Sequence, residues 1–167
     1  MAEPVVVIPF DGWGREVTGL IAARAPAVRF AAGPAGLEAL GVPFLTVERD
    51  GHAVWVGPTV VPGHPGCHRC AQARRRQHAG SLPPVLAPVA AEDPEVTRLA
   101  ARAVLAVLRR VLAAPEAEAG VTRRFVAGGT PPLAGRVVPV SGCARCHRLT
   151  PFVAGWSLRA GAVTTTA

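Results

Sequence analysis

Pro43-Phe-Leu-Thr-Val-Glu-Arg49, then Asp50-Gly51, then Ala53-Val-Trp-Val-Gly57 is the stretch that sets the reading of this chain. Apolar and polar side chains alternate through residues 43–49, as they must in a strand with one buried face. Asp-Gly is a tight-turn dipeptide because glycine tolerates the positive φ that a short hairpin demands. The return strand continues toward Val61 past a Gly57-Pro58 break. Upstream, Val5 to Phe10 predicts a strand, Asp11-Gly12 a turn, and Glu16 to Arg24 a helix with Val17, Leu20 and Ile21 at helical spacing. A second helix is expected at Pro34 to Leu40, stopped by Gly41. Strand, helix and hairpin in this order predict an α/β fold with a short mixed sheet and helices packed on it.

Further along the chain, Pro62-Gly-His-Pro-Gly66 leads into Cys67-His-Arg-Cys70, where a basic helix is expected to begin. Its Arg69, Arg74, Arg75 and Arg76 read as a solvated face. Residues 79–90 hold Gly80, Pro83, Pro84 and Pro88 and predict an extended crossover. The clearest helix follows, with Asp93 as N-cap, Pro94 at the first helical position, Glu95 in the first turn and a body reaching Ala113. Ala100, Val104, Val107, Leu108 and Val111 form its apolar face, and Glu95, Arg98, Arg102 and Arg109 the polar one. Ala114 to Gly120 reads as a loop. Two late strands are expected at Thr122 to Ala127 and Arg136 to Val140, parted by the turn at 128–132, before Cys143-Ala-Arg-Cys146 and a tail over 151–167.

The two Cys-x-x-Cys pairs hold every cysteine of the chain. Each pair has the bite of half a tetrahedral site, and together they predict one zinc tetrathiolate formed by Cys67, Cys70, Cys143 and Cys146. A shared ion would link the middle of the chain to its C-terminal region. Other chemistries fit parts of the pattern. Cys143 to His147 spells the C-x-x-C-H haem attachment, which needs an oxidising compartment and a second axial ligand. A single pair after a strand suits a thiol oxidoreductase but leaves the other pair unexplained. His68 or His147 could replace a thiolate.

The 167 residues carry a formal charge of +7 from 18 arginines, with no lysine. Without lysine there is no P-loop lysine and no Schiff-base chemistry. The carboxylates Asp11, Glu16, Glu38, Glu48 and Asp50 are scattered and suggest no acid–base pair. The first apolar run has no basic leader, and the longest apolar helix is interrupted by arginines. We expect a soluble, cytoplasmic protein without a membrane segment.

Gly41 to Gly51, then Val54-Trp-Val-Gly-Pro-Thr-Val-Val-Pro-Gly63, then Cys67-x-x-Cys70, a long helix and a second Cys-x-x-Cys resemble the second half of ThiF/MoeB-like proteins. The branch it resembles partners the cyclodehydratases of azoline- and thiopeptide-type ribosomally synthesised, post-translationally modified peptides. The resemblance spans about residues 4–150. It implies a sheet of Rossmann-like descent, a structural zinc on the four cysteines, and one domain over 1–167 with a strand–helix region at 4–62 and a zinc-clasped region at 67–150. Full-length members of that superfamily begin with a glycine-rich ATP-phosphate loop. Here Gly12-Trp-Gly14 follows a strand, but Val17 stands at the third glycine position, so the fingerprint is incomplete. The expectation is a C-terminal half, without that loop and without the leader-binding module common in the branch.

The function expected is therefore a non-catalytic, zinc-stabilised partner subunit that docks or activates a peptide-modifying enzyme, such as a YcaO cyclodehydratase, a dehydrogenase or a dehydratase. A precursor peptide is a further candidate partner, and a hetero-complex or homodimer the expected state. The alternatives are a nucleic-acid binder using the arginines of 69–76, against which low aromatic content and absent tyrosine argue, and a thiol oxidoreductase or zinc hydrolase. A closed four-thiolate site leaves no position for an activated water.

Overall fold

The computed structural model describes residues 4–9, 11–34, 36–37, 41–78, 93–128 and 131–149. Six strands, β1 (Val5–Val7), β2 (Arg29–Ala31), β3 (Phe44–Asp50), β4 (Ala53–Val60), β5 (Val121–Val126) and β6 (Leu133–Arg136), form one mixed sheet in the order β2-β1-β3-β4-β5-β6. The β1 strand runs parallel to both β2 and β3, and every later pairing is antiparallel. Five helices accompany it among the described residues: α1 (Gly12–Ala22), α2 (His68–His78), α3 (Pro94–Ala113), α4 (Pro115–Glu118) and α5 (Ala144–Leu149).

Alternation along the strands sorts side chains between two faces. Val6, Ile8, Leu45, Val47, Val54 and Val56 pack with Trp13, Val17 and Ile21 of α1 and with Val96, Ala100, Val104 and Leu108 of α3. Val5, Val7, Phe44 and Val60 gather on the opposite face. Both faces of the central strands are thereby buried, which explains why β1 reads as a continuous valine run rather than an alternation. The buried Thr46 hydroxyl is satisfied by donating to the Gly57 carbonyl at 2.7 Å.

The long helix lies where its cap signals predict. Asp93 accepts from the amides of Glu95 (2.9 Å) and Val96 (3.4 Å), and Pro94 occupies the first turn. The earlier helix begins four residues sooner than expected, because Asp11 is its N-cap rather than part of a free turn. The Asp11 carboxylate accepts from Gly14 at 2.7 Å. A Cβ on Gly14 would come 1.7 Å from the Pro9 carbonyl oxygen, so this glycine is required by the close return of the chain and not by a bound phosphate.

Several expectations need correction. The β2 strand was not anticipated. In the predicted helix at 34–40, residues 36–37 form a turn, and 35 and 38–40 lie outside the described residues. The presumed loop at 114–120 contains α4, and its Glu118 is only 4% exposed. The last strand is Leu133–Arg136, not 136–140. Residues 137–140 leave the sheet for the second cysteine pair. The crossover at 79–90 and the tail at 151–167 lie outside the described residues. No helix among the described residues is long and apolar enough to cross a membrane.

Candidate metal centre

Both cysteine pairs occupy the same local structure. Cys67 immediately precedes α2 and Cys70 lies in its first turn, with the Ala71 amide donating to the Cys67 carbonyl at 3.1 Å. Cys143 immediately precedes α5 and Cys146 lies in its first turn, with the His147 amide donating to the Cys143 carbonyl at 2.9 Å. Three-residue spacing at a helix start turns both side chains to one side, and the positive end of the helix favours thiolate there.

The fold brings the pairs together. All four Sγ atoms lie within 4.8 Å of one another, and all four residues are buried. Cys67 Sγ and Cys143 Sγ are 3.5 Å apart. That is far beyond the roughly 2.05 Å of a disulfide. It is close to the edge of about 3.8 Å that a sulfur tetrahedron has around an ion with bonds of about 2.3 Å. Backbone amides address the sulfurs from outside: Gly66 N donates to Cys146 Sγ and Val140 N to Cys70 Sγ, each at 3.4 Å. Such donors stabilise thiolate charge and orient ligands. Neither His68 nor His147 belongs to the cluster, and His147 is exposed.

Gly66 is the backbone element that makes the approach possible. Its φ of +96° is open to glycine, and a Cβ there would meet the Gly120 Cα at 2.6 Å. Among the described residues, Ala71, Val137 and Val140 form the apolar wall around the sulfurs. Polar bonds supply the rest of the clasp. Arg74 donates to the carbonyls of Val138 (3.2 Å) and Pro139 (3.0 Å), and Arg145 donates to Val61 at 3.0 Å. Arg74 and Arg75 are thus not the solvated stripe expected of the basic helix. They are half-buried, and Arg75 is ion-paired with Glu48, whereas Arg69 and Arg76 are exposed.

Protonation follows from this setting. Burial pushes the Cys67 thiol up to about 11 and also raises Cys70, while the amide of Val140 partly opposes it at Cys70. Burial acts upward on Cys143 too, but the Cys146 amide and the Cys70 and Cys67 thiols donate to its sulfur and bring it down to about 7. The metal-free cluster therefore holds protons that a divalent cation displaces on binding. Four buried sulfurs with outer-sphere amide donors and no carboxylate fit a thiophilic ion. Cys67, Cys70, Cys143 and Cys146 are the residues that would hold it.

A buried carboxylate lies apart from this centre and was missed by sequence reasoning. Glu118 accepts from Arg110 Nε at 2.8 Å and from Arg123 Nη1 and Nη2 at 2.5 and 3.0 Å. Burial raises its pKa, but the two guanidinium groups outweigh burial and the net shift is downward. It ties α3, α4 and β5 together. The acidic signal in Pro115-Glu-Ala-Glu118 was present in the sequence, but its arginine partners are set by tertiary structure.

No family model matches the sequence, and no curated protein matches it. Solved structures do match the fold. The heterocyclase TruD superposes over 87% of this chain and 27% of its own, with a TM-score of 0.53 and 19% identity. A heterocyclase in complex with substrate and cofactor gives a TM-score of 0.55 at 15% identity, over 87% of this chain and 25% of that one. E. coli MccB bound to ATP gives 0.50 at 12% identity, over 86% of this chain and 66% of that one. The chain spans about a quarter of the length of these heterocyclase chains, and what it shares with all three is the fold of that portion.

Proposed function

We propose that this chain is a zinc-clasped, ThiF-like scaffold subunit acting in the biosynthesis of a ribosomally synthesised, post-translationally modified peptide, where it docks or activates a modifying enzyme. The observation carrying the proposal is the four-sulfur cluster in a fold that two heterocyclases share over nearly the whole of this chain. In this reading residues 1–167 act as one domain of Rossmann-like descent, and zinc on Cys67, Cys70, Cys143 and Cys146 has a structural role. Bound zinc would supply a coordinatively closed centre that fixes α2 against α5 and the segment at 137–140. The partner is a peptide-modifying enzyme of the YcaO, dehydrogenase or dehydratase kind, and the precursor peptide is a further partner.

Two properties of the site support a non-catalytic role. All four sulfurs are buried, so reagents do not reach a reactive thiolate from solvent. Gly14 is accounted for by packing against Pro9, so the Gly12-Trp-Gly14 turn does not require a nucleotide. Co-purification of the tagged chain with a modifying enzyme encoded beside it tests the proposal. A stoichiometric complex, and modification of the precursor peptide that depends on this chain, are the expected results. A chain that binds none of the neighbouring pathway proteins, with modification proceeding equally in its absence, contradicts it.

A further inference from the structure

Where the end of α1 meets α3, a hollow of about 260 Å³ is lined by Leu20 and Arg24 from the first and by Arg98, Ala101, Arg102 and Leu105 from the second. Helical spacing puts these residues together. Leu20 and Arg24 are four apart, and 98, 101, 102 and 105 follow one another at steps of three and four along one side of α3. Ala101 is small and buried, so it forms the floor, while Leu20 and Leu105 are half-buried beside it. All three arginines are exposed, so their guanidinium groups are open to a ligand from solvent.

Charge around the hollow is one-sided. Among the described residues no carboxylate lines it, and neither Arg98 nor Arg102 has an ion pair or a side-chain hydrogen bond. Arg24 gives one of its five N–H groups to the Leu20 carbonyl, at 3.2 Å, and keeps the others. Glu95 stands one turn before Arg98 but lines a different hollow, with Leu99 and Phe125. Elsewhere the fold matches its arginines with carboxylates: Arg75 with Glu48, and Arg110 and Arg123 with Glu118. Arg98 and Arg102 are instead four residues apart, a spacing at which like charges disfavour a helix. An anion between them would remove that repulsion, and the aliphatic floor beside them suits a hydrocarbon group.

We infer that this hollow binds a phosphate ester carrying an alkyl chain. The phosphate oxygens accept from Arg98, Arg102 and Arg24, and the chain packs on Leu20, Ala101 and Leu105. A carboxylate is the poorer fit, because one guanidinium satisfies both of its oxygens in a bidentate pair, whereas a terminal phosphate offers three oxygens and a charge approaching −2 to three guanidinium groups. The volume lies below the roughly 300–1,000 Å³ of sites for drug-sized ligands. It suits a phosphate with a short stretch of hydrocarbon. A nucleic acid fits less well, since no aromatic side chain among the described residues lines the hollow for a base to stack on. The same chemistry occurs in a free alkyl phosphate and at the headgroup of an anionic phospholipid. The site shares no residue with the four-sulfur cluster, and the inference holds whichever enzyme the chain accompanies.

The test titrates hexyl phosphate into the full metal-loaded chain by calorimetry. Saturable binding is expected, with inorganic phosphate weaker by about tenfold because it leaves the leucines uncovered. Arg98→Gln and Arg102→Gln should each weaken hexyl phosphate about tenfold or more, with circular dichroism and metal content unchanged. Arg109→Gln removes the same charge from α3 outside the hollow and should change affinity by less than about twofold. Vesicles of phosphatidylcholine with and without phosphatidate separate the two sources. Binding that requires phosphatidate and is displaced by hexyl phosphate supports the site with a lipid headgroup as its ligand, and hexyl phosphate binding without vesicle binding supports it with a free ester. Failure of both probes to bind, equal affinity for hexyl and inorganic phosphate, or equal loss in all three variants overturns the inference. An oligonucleotide that binds more tightly and displaces hexyl phosphate also overturns it. So does a gain of about tenfold in Glu92→Gln, which would assign the arginines to the carboxylate one residue before the α3 cap.

Discussion

The sheet with α1 and α3 and the region around the four sulfurs are held by different physics. In the first, large apolar side chains from two helices and three strands interlock, and Val6, Ile8, Val17, Ile21, Leu45, Val54, Val56, Val96 and Val104 are wholly buried. In the second, Ala71, Val137 and Val140 are the apolar company of the cysteines among the described residues. A cluster that small cannot offset the entropy of ordering two distant segments by burial alone. The first region folds because its sequence is patterned. The second has four clustered sulfurs and directed hydrogen bonds, and in the proposed reading an ion on those sulfurs completes the clasp.

Withdrawing the metal should separate the two regions most sharply. Structural zinc sites carry apparent free energies on the order of 10 kcal/mol. A strong chelator, or Cys143→Ser, should release zinc and open amides of α5 and residues 137–143 to hydrogen exchange, while amides of β1, β3 and α3 keep their protection. Acid should act in the same direction, because each coordinated thiolate that regains a proton leaves the ion, so zinc affinity falls as pH drops. Uniform loss of protection across both regions would break the distinction.

Leu45→Ala probes the opposite case. It should cost about 3 kcal/mol of global stability through the cavity left in the core, with one metal ion still bound, as read by denaturant midpoint and metal analysis. Glu118→Gln should cost about 2 kcal/mol by removing charge-assisted bonds to Arg110 and Arg123. The native Glu118 pKa is lowered, so its contribution is present above the usual carboxylate range and is lost as pH falls below it. The glutamine variant should therefore show a flatter acid limb in thermal melts. Asp93→Ala, which removes the cap of α3, should cost about 1 kcal/mol.

The two regions also differ in how much of them is legible in sequence. The hairpin at 43–57 and the helix from Pro94 to Ala113 announce themselves by period, turn and cap, because those signals are local. The four cysteines suggest a shared site by type and spacing, and the fold brings all four together. The β2 strand has no comparable signal: Arg29-Phe-Ala31 is too short to show a period, and it is a strand because β1 offers it an edge. The expected last strand lies too late because Arg136-Val-Val-Pro-Val140 is rich in strand-forming valine, yet β5 pairs with 133–136 and the following residues are drawn toward the sulfurs. Arg74 and Arg75 looked like solvent-facing charges because their partners, the Val138 and Pro139 carbonyls and Glu48, are far away in sequence.

X-ray absorption at the zinc edge, combined with native mass spectrometry of the full chain, addresses the shared ion most directly. One zinc per chain, surrounded by four sulfurs at about 2.3 Å and lost on substitution of either Cys70 or Cys143, is the predicted result. A metal-free chain with paired disulfides, a mixed nitrogen–sulfur shell, or zinc retained after either substitution would contradict it.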